Sequence, residues 1–488
     1  MGISCRLLKK ALVSIVWMTA AGCAVGPDFR APPPPDVKSY TEAPMPMETV
    51  SAPGLGGRKQ RFMDGGDIPA QWWTLFHSEA LDQLMRRALA DSPTLAAAEA
   101  ALRRAQEDLR ARTGTVVYPS LDGSFSASRQ KTTGAVYGLP GEQGTTFSLY
   151  NASVNVTYVL DVFGKGRREL EALRAQVDYQ RFLLAGAHLT LTSNIATAVI
   201  REASLRAQIR ANEEIVAAET KQLEMVERQS VIGGASHADV LAQQALLAQT
   251  KAALPVLEKE LAQTRNLLAA LSGRFPSDAA LPEFRFEDFE LPREVPVSLP
   301  SSLVRQRPDI RAAEELLHAA SAAVGVATAD LYPQINLSAN LGSNSLKIED
   351  LFSPGTSIWA IGGGLLQPLF HGGELTARRR AAIAAYEQAL AQYRETLLQA
   401  FQNVADVLQA LEADARALRA QSGAEATARE SLDLTQKQFD YGAASYLTLL
   451  NAERQHQRAL IILVQAQAVR FADTAALFQA LGGGWVKE

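Results

Sequence analysis

SPTLAAAEAALRRA, from Ser92 to Ala105, returns 215 residues later as RPDIRAAEELLHAA, from Arg307 to Ala320. Three further landmarks recur in the same order. VYPSLDGSFSAS at Val117 to Ser128 returns as LYPQINLSANLG at Leu331 to Gly342, and DVFGKGR at Asp161 to Arg167 returns as PLFHGGE at Pro368 to Glu374. GGASHADVLAQQ from Gly233 returns as GAASYLTLLNAE from Gly442. These offsets are 214, 207 and 209 residues, so the chain is an internal duplication. Each copy reads as helix, strand pair, very long helix, turn and long helix, a period that decides the fold before any single motif does.

The strand pairs carry the functional signal. Tyr150, Ala152, Val154, Val156, Tyr158 and Leu160 alternate with Asn151, Ser153, Asn155, Thr157 and Val159, which makes one face apolar and the other mostly polar. Ile335, Leu337, Ala339 and Leu341 alternate likewise with Asn336, Ser338 and Asn340. Leu121, Phe125 and Ala127 give a third strand, and the Gly-rich stretch from Ser357 to Leu366 a fourth. A period of two suits a strand with lipid on one side and water on the other, and equally a half-buried soluble sheet. Four strands cannot close a membrane barrel, which needs about eight or more to leave no unpaired edge in lipid. Three copies would supply about twelve, so the strand count points to a homotrimer sharing one barrel.

Leu170, Val177, Leu184 and Leu191 recur every seven residues, as do Ile383, Leu390, Leu397, Val404, Leu411 and Leu418, the spacing of coiled-coil seams. Gly164 to Ser230 and Gly372 to Asp440 contain no proline, and each could form a helix about 100 Å long, roughly three times a bilayer core. Turns follow at Gly233-Gly234 and at Gly442, giving two helical hairpins per chain. Pro93 and Pro308 sit where a helix start tolerates proline, and Arg307-Pro308-Asp309 reads as a helix-start signal.

At the amino terminus Arg6, Lys9 and Lys10 precede an apolar run from Ala11 to Trp17, and Ala20, Ala21 and Gly22 stand directly before Cys23. Residues 1–22 read as a secretory signal, too short for a membrane span. A cysteine in that place resembles a bacterial lipobox, although Ala20 stands where an aliphatic residue is usual. Cys23 would then open the mature chain carrying diacylglycerol and an N-acyl group, and more than one acyl chain is what stable anchoring requires. Ala24 in place of Asp favours delivery to the outer membrane. Residues 23–67, rich in Pro and Gly, read as an extended lipidated tether, with ordered structure beginning near Ile68. No later apolar stretch reads as long enough for a transmembrane helix.

Loss of the signal removes Cys5, so one cysteine remains and no internal disulfide is expected. It leaves 45 basic against 52 acidic residues, an acidic balance that does not suit nucleic acid. His77, His188, His237, His318, His371 and His456 are dispersed, with no HExxH, no GxSxG and no phosphate loop around Gly164-Lys165-Gly166. No catalytic, cofactor-binding or metal site is expected. A helical periplasmic scaffold stays open beside the channel as a second reading.

CAVGPDF (Cys23 to Phe29), YPSL, YPQI, QPLFHGG (Gln367 to Gly373), SYLTLLNAE (Ser445 to Glu453) and ALGGGW (Ala480 to Trp485) together resemble the TolC-type outer-membrane efflux lipoproteins, in the OprM and NodT branch. The resemblance covers essentially the whole mature chain. It implies an α+β membrane protein: a trimeric twelve-stranded barrel in the outer membrane and a helical periplasmic barrel. It implies a passive duct for small molecules, closed at its tip until a periplasmic adaptor (membrane fusion) protein and an inner-membrane pump of the resistance-nodulation-division type dock. On that alignment Leu447 takes the position of an apolar plug. Asn451 and Thr448 stand where relatives carry the aspartates of an acidic ring, and Asp239 is kept in the first hairpin. The implied parts are the first repeat at 68–290, with its strand pair at about 117–161 and helical hairpin at about 164–273. The second repeat is 291–488, with corresponding pieces at about 331–370 and 372–482.

Overall fold

The fold is described from a computed structural model over residues 24–66, 68–133, 144–278 and 280–483. Cys23 and Trp485 lie outside the described residues. In chain order the elements are β1 (Arg61–Asp64), α1 (Glu79–Asp91), α2 (Pro93–Val117), β2 (Ser120–Thr132), β3 (Thr145–Leu160), α3 (Lys165–Val231) and α4 (His237–Leu271). There follow β4 (Glu294–Val297), α5 (Pro300–Gln306), α6 (Pro308–Ala329), β5 (Gln334–Ser345), β6 (Ser357–Leu366), α7 (Glu374–Asp440) and α8 (Tyr446–Ala480). Both long helices run for 67 residues and both returning helices for 35, so the duplication extends to element length.

The chain divides into two compact units, each assembled from both repeats. One contains residues 101–180 and 312–393 with the amino-terminal stretch to Pro32; the other contains residues 33–100, 181–311 and 394–488. Neither repeat is a unit alone. Each contributes a strand pair and the start of its long helix to the first unit, and the rest of that helix with its returning helix to the second.

In the first unit the strands form one antiparallel sheet in the order β2-β3-β5-β6. Its register places Leu121, Phe125, Val154, Val156, Leu337, Leu341, Trp359 and Ile361 on one face, because directly paired residues share a face. Trp359 is 73% and Ile361 80% exposed. Across β2, β3 and β5 the opposite face is an amide and hydroxyl ladder, while β6 places Ile358, Ala360 and Gly362 there. Asn340 donates to Asn155 at 2.6 Å, Asn155 to Ser124 at 3.2 Å and Asn151 to Asn344 at 2.5 Å. Side chains on that face thus satisfy one another across the strands, while water can serve their remaining capacity. β2 and β6 are the sheet's two edges within the chain.

The second unit is organised by an aromatic core. Trp72 stacks on Phe478 with ring centroids 5.4 Å apart, and Phe76, Phe284, Phe286, Phe289 and Phe471 pack around them. α3 adds Leu191, Ile195, Val199 and Ala203 to this core. Arg307, expected only to mark a helix start, also reaches the end of α8: its guanidinium donates to the Ala480 carbonyl at 2.7 Å and pairs with Asp309 at 2.7 Å. A cation on the last carbonyls of a helix meets both their unpaired lone pairs and the helix dipole.

Two expectations are corrected here. The first concerns the segment read as a tether to residue 67. β1 pairs in parallel with β4, and Thr49 and Gln60 are buried. Arg470, wholly buried, donates to Thr49 Oγ1 at 2.7 Å and to the Leu411 carbonyl at 2.6 Å, while Gln60 bonds Thr474 at 3.2 Å. A buried guanidinium needs such acceptors, and the Pro-rich segment supplies one of them. The second concerns apolar spans: α3 and α8 each hold an 18-residue window apolar enough to cross a bilayer. Both helices contribute to the aromatic core, which accounts for apolar content beyond a simple seven-residue stripe.

Thr49→Ala should cost about 1–3 kcal/mol by leaving Arg470 short of an acceptor. Thermal unfolding and limited proteolysis between residues 40 and 60 would read this as a lower midpoint and faster cleavage at that segment.

Candidate gate at the hairpin tips

The two hairpin turns use the same backbone solution. Gly233 (φ +80°) and Gly442 (φ +74°) adopt the left-handed conformation that ends a helix without a Cβ clash. After α3, Gly234 N–H bonds the Gln229 carbonyl at 2.8 Å and Gly233 N–H that of Ser230 at 3.2 Å. After α7, Ala443 bonds Gln438 at 2.7 Å and Gly442 bonds Phe439 at 2.9 Å. Gly234 therefore holds a position that Ala443 fills in the second repeat; the left-handed turn itself rests on Gly233 and Gly442.

The returning helices begin alike too. Ser236 caps α4, and Asp239 answers with its carboxylate on the Ser236 N–H at 2.9 Å and hydroxyl at 2.7 Å, a reciprocal capping box. Ser445 caps α8, with the Thr448 hydroxyl 2.9 Å from its own. Asp239 and Thr448 are thus equivalent positions, and each is engaged at its helix start. Leu447 and Asn451 are exposed, Leu447 at 62%, while Leu449 and Leu450 at 0% and 2% supply the packing. Leu447 lies outside the apolar core of the single chain.

Below the turns lies a polar cluster that connects the two hairpins. The Tyr446 hydroxyl donates to Gln243 Oε1, and Gln243 Nε2 donates to the Glu219 backbone carbonyl at 3.3 Å. Glu219 Oε1 accepts from Gln457 at 2.7 Å and Thr250 at 3.1 Å. Phe439 meets Tyr446 edge-on at 6.1 Å, and Val226, Val240, Leu246 and Leu450 close the apolar surround. Burial pushes the Glu453 carboxyl up to about 7, with the nearby Glu219 carboxylate as the second cause. Burial raises Glu219 as well, against its hydrogen bonds from Gln457 and Thr250.

A signal for this cluster was present in the heptads. Counting on by sevens from Leu191 lands on Ala198, Leu205, Asn212, Glu219 and Val226; from Leu418 it lands on Glu425. Glu219 and Glu425 are buried, and Glu425 pairs with Arg429 at 2.8 Å and His456 at 3.3 Å. Polar residues at seam positions fix register at a cost in stability, which marks them as positions to inspect. The partners on α4 and α8 lie far off in sequence and have no such periodic mark.

The sheet has one apolar, exposed face and one mostly polar face, and the paired hairpins end in exposed tips. The chain belongs to the outer membrane efflux protein family, which it matches over residues 84–274 and 299–483. It is 33% identical over 430 residues to the pyoverdine export outer membrane protein OpmQ of Pseudomonas aeruginosa, covering 86% of this chain and 89% of that one. It is 29% identical over 487 residues to the toluene efflux pump outer membrane protein TtgC of Pseudomonas putida, covering 99% and 97%. Its fold superposes on the outer membrane protein VceC of Vibrio cholerae with a TM-score of 0.80 at 29% identity, covering 86% of this chain and 99% of that one. The protein is an outer-membrane efflux component, in a family of transport channels.

Glu453 binds its proton more tightly folded than unfolded, so its contribution is full below about pH 4.5 and is lost as pH rises through about 7. Glu453→Gln should remove that loss. Unfolding free energies of the variant and the parent should converge at about pH 4, with the variant ahead at pH 8 by on the order of 3 kcal/mol.

Proposed function

We propose that three copies of this chain share one twelve-stranded barrel and form a passive export duct whose periplasmic tip is closed at rest. The observation that carries the reading is the four-stranded sheet, apolar on one face and amide-lined on the other, with β2 and β6 open at its edges. In lipid those edges need partners, and the β6 edge of one copy against the β2 edge of the next supplies them. The amide ladder then faces the aqueous lumen and the Leu and Trp face meets lipid. Acyl chains on Cys23 hold the trimer in the outer membrane.

At the tip, Leu447 from three copies forms the constriction, supported by its exposure beside fully buried Leu449 and Leu450. Asn451 and Thr448 leave these two tip positions of the second hairpin uncharged, so the closed pore discriminates weakly between cations and anions. Docking of a periplasmic adaptor and an inner-membrane pump of the resistance-nodulation-division type splays the second hairpin and opens the pore. Cargo is a small molecule chosen and driven by the pump, a class wide enough to include the pyoverdine and toluene named for the relatives.

Single-channel conductance of the detergent-purified protein in a planar bilayer tests this. Leu447→Ala should raise the tip-limited conductance, and an unchanged value would remove the residue from the gate. Asn451→Asp should raise cation over anion selectivity by at least about fivefold, since a unit charge about 4 Å from a passing ion favours a cation and disfavours an anion by ~1 kcal/mol each even in water. Unchanged selectivity would place residue 451 away from the pore.

A further inference from the structure

The stretch from Ala24 to Phe29 is held at the junction of β3 and α3 by more interactions than a tether needs. Val25 N–H donates to the Phe163 carbonyl at 3.1 Å. Arg168, its side chain 6% exposed, donates to the Val25 and Gly26 carbonyls at 3.4 Å each and pairs with Asp28 at 2.7 Å, although Asp28 is itself 88% exposed. Its remaining terminal nitrogen bonds Glu171 at 2.7 Å. Phe29 stacks on the His318 ring at 4.3 Å and 12°, and His318 Nε2 lies 3.1 Å from Glu171 Oε1.

The crossing is fitted as well as bonded. A Cβ on Gly26 would stand 2.4 Å from the Gly325 Cα, one on Gly325 would meet the Arg168 Cγ at 2.8 Å, and one on Gly164 would meet the Ala24 Cα at 2.7 Å. Three glycines at three sides of one crossing leave room for backbone to lie on backbone. Gly26 and Gly164 also take positive φ, +97° and +82°.

We propose that residues 24–29 are a docked strap and Arg168 its receptor, which together fix the lipid anchor at the sheet–helix junction so that acyl chains and strands enter the membrane as one unit. This rests on the reading of Cys23 as acylated. One peptide bond joins residue 23 to the strap, so docking of the strap places the point of attachment of the anchor. Arg168 is a positioning residue: it reads two carbonyls and a carboxylate of the strap, and its hydrogen bonds among the described residues go to the strap and Glu171 rather than to the amide ladder of the sheet. The stacked pair Phe163 and Tyr332, 5.0 Å apart, sits at the same junction, an arrangement suited to the interface between acyl chains and water.

The test uses the full chain expressed with its signal and purified from outer membranes. Intact mass of the amino-terminal peptide reports acylation, amide exchange at Val25 reports docking, and membrane flotation reports insertion. Arg168→Gln and the strap-side variant Gly26→Val, which leaves every residue of the seat in place, should keep the acyl mass. Both should lose roughly a hundredfold in Val25 protection and insert severalfold less. An acylated protein whose protection in both variants stays within about twofold of the parent overturns the strap. Lost protection with unchanged insertion overturns the positioning role. A parent without acyl mass overturns the Cys23 reading itself, and the mass separates that failure from the other two.

Discussion

A strand edge placed in lipid must find a partner, because its unpaired N–H and C=O groups have no water to turn to and each costs several kcal/mol. Everything about the first unit of this chain follows from that constraint. Its sheet is long enough to cross a bilayer, with strands of 10 to 16 residues, and it has two faces of opposite character. Within one chain it has two edges, β2 and β6. A soluble protein would cover the apolar face with helices. This one leaves Leu121, Phe125, Trp359 and Ile361 exposed and satisfies the opposite face with its own asparagines and serines. In the proposed placement in lipid, pairing with further copies satisfies the edges.

The second unit answers a different demand. Its hairpins pack through heptad seams, and seams made only of leucine and alanine define register poorly. Glu219, Gln243 and Tyr446 introduce buried polar groups whose partners exist in one arrangement of the two hairpins. Such contacts are strong when complete and costly when broken, the property a bistable tip requires. Glu453, its carboxyl pushed up to about 7 by burial and the nearby Glu219, sits beside them, so its charge changes near neutral pH.

How much of this was legible in the sequence follows the range of each interaction. Strands of period two, the seams and the turns at Gly233 and Gly442 are local, and the structure places them at residues close to those expected. The capping pair Ser236 and Asp239 is local too, yet it was hidden behind a functional expectation for the aspartate. What stayed invisible joins distant segments. β1 meets β4 over four residues more than two hundred apart, Arg470 reaches back to Thr49, Arg307 reaches the end of α8, and Arg168 receives Asp28. No periodicity announces such contacts, and a run of prolines looks like a linker until its acceptors are seen to be needed elsewhere.

The measurement that bears most directly on the shared barrel is the mass of the detergent-extracted, unheated protein by native mass spectrometry. A trimer that falls to monomers only on heating, together with loss of sheet signal, is what edge pairing between copies predicts. A stable monomer that keeps its sheet would mean the edges are satisfied within one chain, and the duct would have to be abandoned.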